Sequence, residues 1–556
     1  MASHETTRLT CERLYPNAKL SSERIVPLSL LDATSVGYSA TCAAWLFERP
    51  AREHQLDLVD HLRQTLIITL DAYPQWCGQL KAVTTVNNSS DRGRHQASHT
   101  QRFGRVSVHY GTRDDPGVVF ITAQSTTTLD KLHPALRTST QPLWDRNTTH
   151  LTEHIPSTQL ANPLSKAAIH DRSACLPTLA IQLTQLACGG FVLAVKIAHP
   201  LADAQTLVQF AKDWGSISRA ILRKDPLPIL TPVFRPDQVD ALAAGDINRD
   251  APDEAIILQT EDLPIHRYDW WNPEPGSSRP SDVPEAFQRE KIIPAGKHIP
   301  WSEWDRESPV SHYVVHLTRH QVEIIFEQLR DSSDSQLTRH DAVLAHLWSC
   351  INRARQMHDD NGPVHCDLAC GLRSVFHLSD AFLGSPILMV NVEMTGKEAT
   401  MTAAAAAGGQ EMLPLGRIAQ RIRETITRIN DPAGLGAYLH RLAYEKSPQR
   451  IWMGFLGQRH MMVTTWARAG LYEVDFGLGR GAERIIRYAE GVLENLDGLV
   501  LVKEAPPARD SEIADPPSTS GWTQHGVDIS VHLRTEDMER FLRDPLLFPG
   551  PKRGGT

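Results

Sequence analysis

The most constraining feature of this sequence is a run from Leu179 to Ile197 in which apolar residues alternate. They recur at every second position on both sides of a Gly-Gly pair: Leu179, Ile181, Leu183, then Phe191, Leu193, Val195, Ile197. A period of two is that of a β-strand with one apolar face, so the run predicts two strands joined by a tight glycine turn. The spacing then changes to that of a helix, with an apolar stripe at Leu207, Phe210 and Trp214. A strand pair leading into a helix predicts a mixed α/β fold.

A chain of 556 residues is long enough for two or more domains. Between residues 226 and 310 prolines recur and no period of 2 or 3.6 persists. We therefore predict an N-terminal domain at 1–225, a crossing linker at 226–310 and a C-terminal domain at 311–556. Helices are predicted at residues 57–70 and 338–355, the latter beginning with a capping box of Thr338 and Asp341.

Composition excludes several classes of function. The chain has 57 Lys and Arg against 65 Asp and Glu, for a net charge of -8, and no long basic run, so we expect no nucleic-acid binding. The first residues lack the apolar core of a signal peptide, and no stretch approaches the roughly 18 apolar residues of a membrane span. We expect a soluble, cytoplasmic protein without membrane contact. The cysteine spacing indicates no zinc cage, and no resident metal is expected.

His199 is the histidine whose position indicates chemistry. It continues the apolar face of the second strand at the point where that strand ends, which makes its ring partly desolvated. Pro200 keeps the backbone of His199 extended, and Asp203 lies at a predicted helix start. A buried, neutral imidazole of this kind can act as a general base. The alternative is a core histidine bonded to backbone, with Asp203 acting only as a helix cap.

Other chemistries have weaker support. No Gly-x-Ser-x-Gly elbow or phosphate-binding Gly-x-x-x-x-Gly-Lys-Ser/Thr loop is present. The pattern Gly477-Leu-Gly479-Arg-Gly481-Ala482 is similar to a dinucleotide fingerprint, but the residues after it do not favour a helix. A metal held by His199 and Asp203 would lack a third ligand at suitable spacing.

Two segments resemble the signatures of the BAHD acyltransferase superfamily, and in particular its fungal branch of trichothecene 3-O-acetyltransferase-like enzymes. They are LTQLACGGFVLAVKIAHPLADAQTL, with its His-x-x-x-Asp, and YEVDFGLG, which matches Asp-Phe-Gly-Trp-Gly. LRQTLIITLDAYPQWCGQL, LTRHDAVLAHLWSCINRAR and VTTWARAGLYEVDFG extend the resemblance over most of the chain. The sequence departs from the family pattern at four positions: Ala204, Val375, Ser385 and Leu478.

The resemblance implies an α/β fold of two chloramphenicol-acetyltransferase-like domains with a channel at their interface. An acyl-coenzyme A co-substrate, with acetyl the leading donor, would there meet an alcohol or amine acceptor, and no cofactor would be bound permanently. His199 would deprotonate the acceptor, which attacks the thioester directly. We expect a monomeric O-acyltransferase acting on a secondary metabolite.

The resemblance also implies roles for further residues. Asp203 would pair with Arg373 and so support the turn that carries His199. Asp475 belongs to the second signature and is a candidate catalytic residue, although we expect its role to be architectural. The other candidates are two glycines that would support the structure of the site, Gly477 and Gly479, and two residues that would contact the coenzyme, Thr465 and Trp466.

Two other functions remain open at this point. Condensation domains of peptide synthetases share the fold and use carrier-bound acyl groups, but their signature has two adjacent histidines, whereas Ala198 precedes His199 here. A catalytically inactive homologue that binds a small molecule is the second alternative, motivated by Leu478 and Val375.

Overall fold

The structure is a computed structural model, and it describes residues 6–18, 21–51, 57–85, 98–134, 150–165, 175–274, 283–330, 337–400, 414–481, 483–507 and 521–550. The run of alanines at 403–407 lies outside these ranges. None of the helices in the described part of the chain is both long and apolar enough to cross a membrane.

Across the described ranges, the strands form two six-stranded mixed sheets and two smaller sheets. The strands are β1 (Thr6–Leu14), β2 (Arg24–Pro27), β3 (Thr41–Phe47), β4 (Gln79–Ala82), β5 (Val106–Tyr110), β6 (Val118–Ser125), β7 (Leu179–Leu186), β8 (Phe191–Ile197), β9 (Tyr268–Asp269), β10 (Val310–Leu317), β11 (Pro363–Gly371), β12 (Ile387–Thr395), β13 (Ile451–Trp452), β14 (His460–Thr465), β15 (Ile486–Gly491), β16 (Leu499–Glu504) and β17 (Val527–Arg534). The first large sheet has the order β1-β6-β7-β8-β3-β15 and the second β10-β17-β16-β14-β11-β12. Three of the smaller strands pair as β2-β5-β4, and β9 pairs with β13.

The α-helices cover the sheets and connect their strands. They are α1 (Leu30–Thr34), α2 (Leu58–Leu70), α3 (Leu129–Leu132), α4 (Ala204–Arg223), α5 (Asp237–Asp240), α6 (Glu254–Leu258), α7 (Arg319–Arg330), α8 (Arg339–Ala354), α9 (Gly396–Thr400), α10 (Pro414–Arg428), α11 (Pro432–Tyr444) and α12 (Thr535–Leu542). Side-chain caps begin the three helices predicted from sequence: Asp57 caps α2, Asp203 caps α4, and Thr338 and Asp341 form the capping box of α8.

The hairpin of β7 and β8 lies inside the first sheet, between β6 and β3. Its odd-numbered residues from Phe191 to Ile197 pack in the main core of this lobe, while Val192 and Ala194 face a second cluster. The turn between the strands requires glycine, because Gly189 has a φ of +84° and a Cβ on Gly190 would lie 2.7 Å from the carbonyl oxygen of Phe47. The alternation therefore places β8 at the centre of the sheet and His199 just beyond its end.

Segments from the C-terminal part of the chain pack into the first lobe and so connect the two lobes. Strand β15 pairs antiparallel with β3 and so completes the first sheet, although it falls within the range assigned by sequence to the C-terminal domain. Residues 466–489 also contribute side chains to the core of the first lobe, among them Trp466, Leu471 and Leu478. In the residues of segment 226–310 that the structure describes, the elements are short, and strand β9 pairs with β13 of the second half.

Candidate active site

His199 begins a single 3₁₀ turn, His199–Leu201, one residue after the end of β8, so the extended backbone predicted from Pro200 is wrong. Its Nδ1 is 3.0 Å from the hydroxyl oxygen of Ser385, and its ring meets the edge of the Tyr38 ring at a centroid distance of 5.4 Å. The imidazole is half-buried. Because Ser385 comes from the second half of the chain, the side chain of His199 lies where the two lobes meet.

An ion pair between Asp203 and Arg373 supports this turn from behind. The guanidinium of Arg373 donates from Nη1 to Oδ2 of Asp203 at 2.5 Å and from Nη2 to Oδ1 at 3.0 Å. Both side chains are buried, and Oδ1 of Asp203 also accepts the backbone N–H of Thr206 as the cap of α4. The structure therefore brings together the pair that the family resemblance implied, and it directs Asp203 toward Arg373 and the helix start.

The segment Gly384-Ser385 forms hydrogen bonds to residues from both halves of the chain around the site. The carbonyl of Gly384 accepts from the backbone N–H of Asp203 at 3.1 Å and from Nη2 of Arg373 at 3.2 Å. The backbone N–H of Ser385 donates to Oδ1 of Asp32 at 2.6 Å. Gly384 has a φ of +133°, and a Cβ there would lie 2.8 Å from Oδ1 of Asp32, so only glycine fits.

Burial shifts the pKa values of three groups at the site, those of His199, Asp32 and Tyr38. Desolvation lowers the pKa of His199 from the usual histidine value, while the charge of Asp203 opposes part of that shift. Desolvation raises the pKa of Asp32 to about 6, against the hydrogen bonds from Ser29 and Ser385. Burial also raises the pKa of Tyr38 to about 12, so its hydroxyl stays protonated at neutral pH. His199 is therefore favoured in the neutral form that a general base requires.

Asp475 lies away from this turn and packs against the C-terminal half of α4. Its carbonyl accepts from Arg219, its Oδ1 accepts the N–H of Gly477 at 2.8 Å, and a Cβ on Gly215 would lie 2.5 Å from its carbonyl oxygen. Twelve residues of helix separate Gly215 from Asp203, which is about 18 Å along the helix axis. The structure thus groups Asp475 with α4 and its own loop, and His199 is not among the contacts described for it.

Gly477 and Gly479 of this loop are each required to be glycine, for different structural reasons. Gly477 has a φ of +71° next to Arg219, and a Cβ on Gly479 would lie 2.0 Å from the carbonyl oxygen of Glu483. The chain then continues as strand β15, so the glycine pattern that is similar to a dinucleotide fingerprint leads into a strand. Leu478, at the family's tryptophan position, is 1% exposed and packs in the core of the first lobe.

Thr465 is the last residue of β14, and Trp466 follows it. Oγ1 of Thr465 is 2.9 Å from Nε2 of His340, whereas Trp466 is only 4% exposed and packs against Gly491. The structure gives Thr465 a polar neighbour and a half-buried position. It places Trp466 in the core, where stacking against a coenzyme would require the side chain to move.

Sequence reasoning missed Asp32 and Tyr38 as neighbours of the site. Neither lies in a motif, and both reach the site only because the 3₁₀ turn Ser35–Gly37 and helix α1 fold against the His199 turn. Ser385 carried a signal, since it departs from the family pattern, but that signal did not reveal its contact with His199.

These features define a two-lobed α/β protein with a base-like histidine at the junction of its lobes. The model of the Transferase family matches residues 100–546, and the chain belongs to this family of acyltransferases. The BAHD resemblance and the α/β fold with two chloramphenicol-acetyltransferase-like domains are thereby confirmed. The protein is an acyltransferase.

The named relatives are distant in sequence, and the matches differ in how much of the chain they cover. It is 26% identical to the acyltransferase AFT15-1 of Alternaria alternata over 98% of this chain and 97% of that protein. It is 27% identical to trichothecene 3-O-acetyltransferase TRI101 of Fusarium sporotrichioides over 38% of this chain and 41% of that protein. The crystal structure of the latter enzyme, with coenzyme A and T-2, has a TM-score of 0.60 at 16% identity and covers 94% of this chain and 98% of that one.

Proposed function

We propose that the protein transfers an acyl group, with acetyl as the leading donor, from acyl-coenzyme A to a hydroxyl of a secondary metabolite, with His199 as general base. The observation that carries the proposal is the placement of a half-buried His199 where the two lobes meet, with Nδ1 held by Ser385. The solved structure of a trichothecene 3-O-acetyltransferase in complex with coenzyme A and T-2 supports the pairing of these two kinds of substrate.

The hydrogen bond to Ser385 is compatible with the tautomer that the reaction needs. If Nδ1–H donates to Oγ of Ser385, Nε2 carries the lone pair and is the atom that takes the proton. Burial disfavours the imidazolium and so keeps this lone pair available near neutral pH. Asp203 and Arg373 act through the backbone of the turn, as positioning residues.

The chemistry then proceeds without an acyl-enzyme. Nε2 of His199 removes the proton of the acceptor hydroxyl as its oxygen attacks the thioester carbonyl. The C–S bond breaks, the ester forms, and the imidazolium returns its proton to the departing thiolate. A base of this kind contributes about 10²- to 10⁴-fold, and much of the remaining acceleration comes from holding two substrates together.

Acyl donors other than acetyl are represented among the named relatives, which include a hydroxycinnamoyltransferase of Narcissus pseudonarcissus and a benzoyltransferase of Petunia hybrida. The donor therefore has to be measured. We propose that Thr465 lies near the coenzyme, that Asp475 organises its loop against α4, and that the enzyme works as a cytoplasmic monomer.

The direct test follows free thiol release from acetyl-, benzoyl- and hydroxycinnamoyl-coenzyme A with a panel of hydroxylated terpenoids, polyketides and alkaloids. For the accepted pair, His199→Ala is expected to lower kcat by about 10²- to 10⁴-fold. His61→Ala is the matched control, because His61, on α2 of the same lobe, also bonds a serine. Its Nε2 is 2.8 Å from Oγ of Ser218. Thiol release that depends on neither acceptor nor His199 would contradict the proposal.

A further inference from the structure

A group of buried histidine and aspartate side chains lies apart from the His199 site. His266 comes from the crossing segment, Asp367 from β11 and His460 from the start of β14, a strand that runs parallel to β11. Asp367 is 0% exposed, and the side chains of His460 and His266 are 1% and 9% exposed. One nitrogen or oxygen of each residue lies within 4.8 Å of the others.

The polar atoms of this group are close together, and some of them have no hydrogen-bond partner among the described residues. Nε2 of His266 is 3.3 Å from Oδ1 of Asp367, yet neither atom has a partner of acceptable hydrogen-bond geometry. Nδ1 of His460 is 3.2 Å from Oδ2 of the same carboxylate. Metal–ligand bonds of about 2.0–2.1 Å in a tetrahedral site place neighbouring ligand atoms about 3.3 Å apart. The His266–Asp367 and His460–Asp367 separations are close to that edge length. They end on the two different oxygens of the carboxylate, and one ligand atom from each of the three residues lies within 4.8 Å of the others.

Neighbouring groups contact each of the three side chains. The backbone N–H of Phe455 donates to Oδ2 of Asp367 at 3.0 Å, and Tyr268 stacks on the ring of His266 at 4.7 Å. Nε2 of His460 faces Oε2 of Glu303 at 3.7 Å. A carboxylate behind the outer nitrogen of a histidine is the usual outer shell of a metal ligand, and here it leaves Nδ1 of His460 for the metal.

We propose that His266, Asp367 and His460 bind a divalent transition-metal ion, with zinc the best match, in a structural site between the crossing segment and the second sheet. Two imidazoles and one carboxylate are a donor set that zinc accepts, with water or a further oxygen as the fourth ligand. Because His266 and Glu303 both belong to the segment 226–310, the ion would fasten that segment to β11 and β14. The competing explanation is a buried carboxylate paired with two histidines and no metal.

The test uses the full-length protein, stripped with a chelator and then titrated with Zn²⁺ alone. We expect about one zinc per chain by elemental analysis, together with a higher thermal unfolding temperature. His266→Gln and Asp367→Asn should each lower the bound zinc at least about tenfold at the same free metal concentration.

His365→Gln is the matched control, since this imidazole stacks on His460 at 4.5 Å but its Nδ1 is 3.1 Å from the side-chain oxygen of Asn391. It should retain the metal. Absorption of Co²⁺ bound to the unmodified protein tests the same geometry if a variant does not fold, because tetrahedral Co²⁺ absorbs strongly in the visible range. Three results would overturn the proposal: no metal retained, zinc that survives both ligand variants, or Co²⁺ spectra of an octahedral, water-rich site.

Discussion

At the scale of single residues, the properties of His199 depend on three neighbours with different roles. Ser385 occupies Nδ1, Tyr38 covers one side of the ring, and Asp203 supplies a charge through the turn. Of these three neighbours, Ser385 is the one that hydrogen-bonds the imidazole. The orientation of the base therefore depends on one hydroxyl from the opposite lobe.

Removal of that hydroxyl is expected to reduce catalysis without abolishing substrate binding. Ser385→Ala leaves Nδ1 of His199 without its partner, so the ring can populate the other tautomer and other rotamers. We expect kcat to fall on the order of tenfold, less than for loss of the base itself, with KM nearly unchanged. Ser385→Thr keeps a hydroxyl and should retain activity. Equal kcat for Ser385→Ala and the unmodified enzyme would show that the contact does not position the base.

The pKa of His199 predicts the pH dependence of the reaction. The base works only when neutral, so kcat/KM falls as pH drops through the pKa of His199 in the free enzyme. Because burial lowers this pKa below 6.5, the acid limb of kcat/KM should lie below pH 6.5, with a plateau at neutral pH. A pH profile of initial rates measures it. A limb centred above pH 6.5 would show that the imidazole is not desolvated as described.

At the scale of elements, local signals predicted what short segments do by themselves. The hairpin Leu179–Leu186 and Phe191–Ile197 and the helix Leu58–Leu70 follow directly from apolar spacing, and α8 begins at its capping box. These features depend on neighbours within a few residues, which a sequence displays. Strand β15 joins the sheet of the other lobe, and nothing within its six residues records that partner.

The same distinction applies to the site. His199 and Asp203 share one turn, so spacing was sufficient to single them out. Arg373 was named only through the family resemblance, and Asp32 and Tyr38 were not named at all. The His266, Asp367 and His460 group was missed because its members are separated by roughly a hundred residues each, and no local spacing links them.

The Asp203–Arg373 pair predicts a stability effect that is specific to buried charges. Arg373→Met leaves the carboxylate of Asp203 buried without its cation, which is expected to cost about 3–5 kcal/mol of unfolding free energy. Adding Asp203→Asn removes that charge and keeps an effective helix cap, so the double variant should recover part of the loss. Urea denaturation of the two single variants and the double variant measures the coupling. Additive losses would show that the two side chains act independently.

At the scale of the whole molecule, a buried ionic group joins the two large sheets. Nζ of Lys503, on β16 of the second sheet, is 2.5 Å from the hydroxyl of Tyr488 and 3.2 Å from Oε2 of Glu490, both on β15 of the first sheet. Asp528 on β17 lies 3.5 Å from the same ammonium. Burial raises the pKa of Glu490, and Lys503 acts against that shift. The lobe interface that carries His199 thus also contains a cation shared by two sheets.

Replacing Lys503 is expected to destabilise the protein far more than replacing a lysine whose carboxylate partner is exposed to solvent. Lys503→Met fills a similar volume but leaves Glu490 and Asp528 buried without the ammonium, so we expect a loss of about 3–5 kcal/mol in unfolding free energy. Lys212→Met is the control, because Nζ of Lys212 also pairs with a carboxylate, Oε2 of Glu473 at 2.7 Å, but the Glu473 side chain is 64% exposed. An exposed pair contributes about 0–1 kcal/mol. Denaturant unfolding of both variants separates the two cases, and similar losses would mean that the Lys503 group does not hold the sheets together.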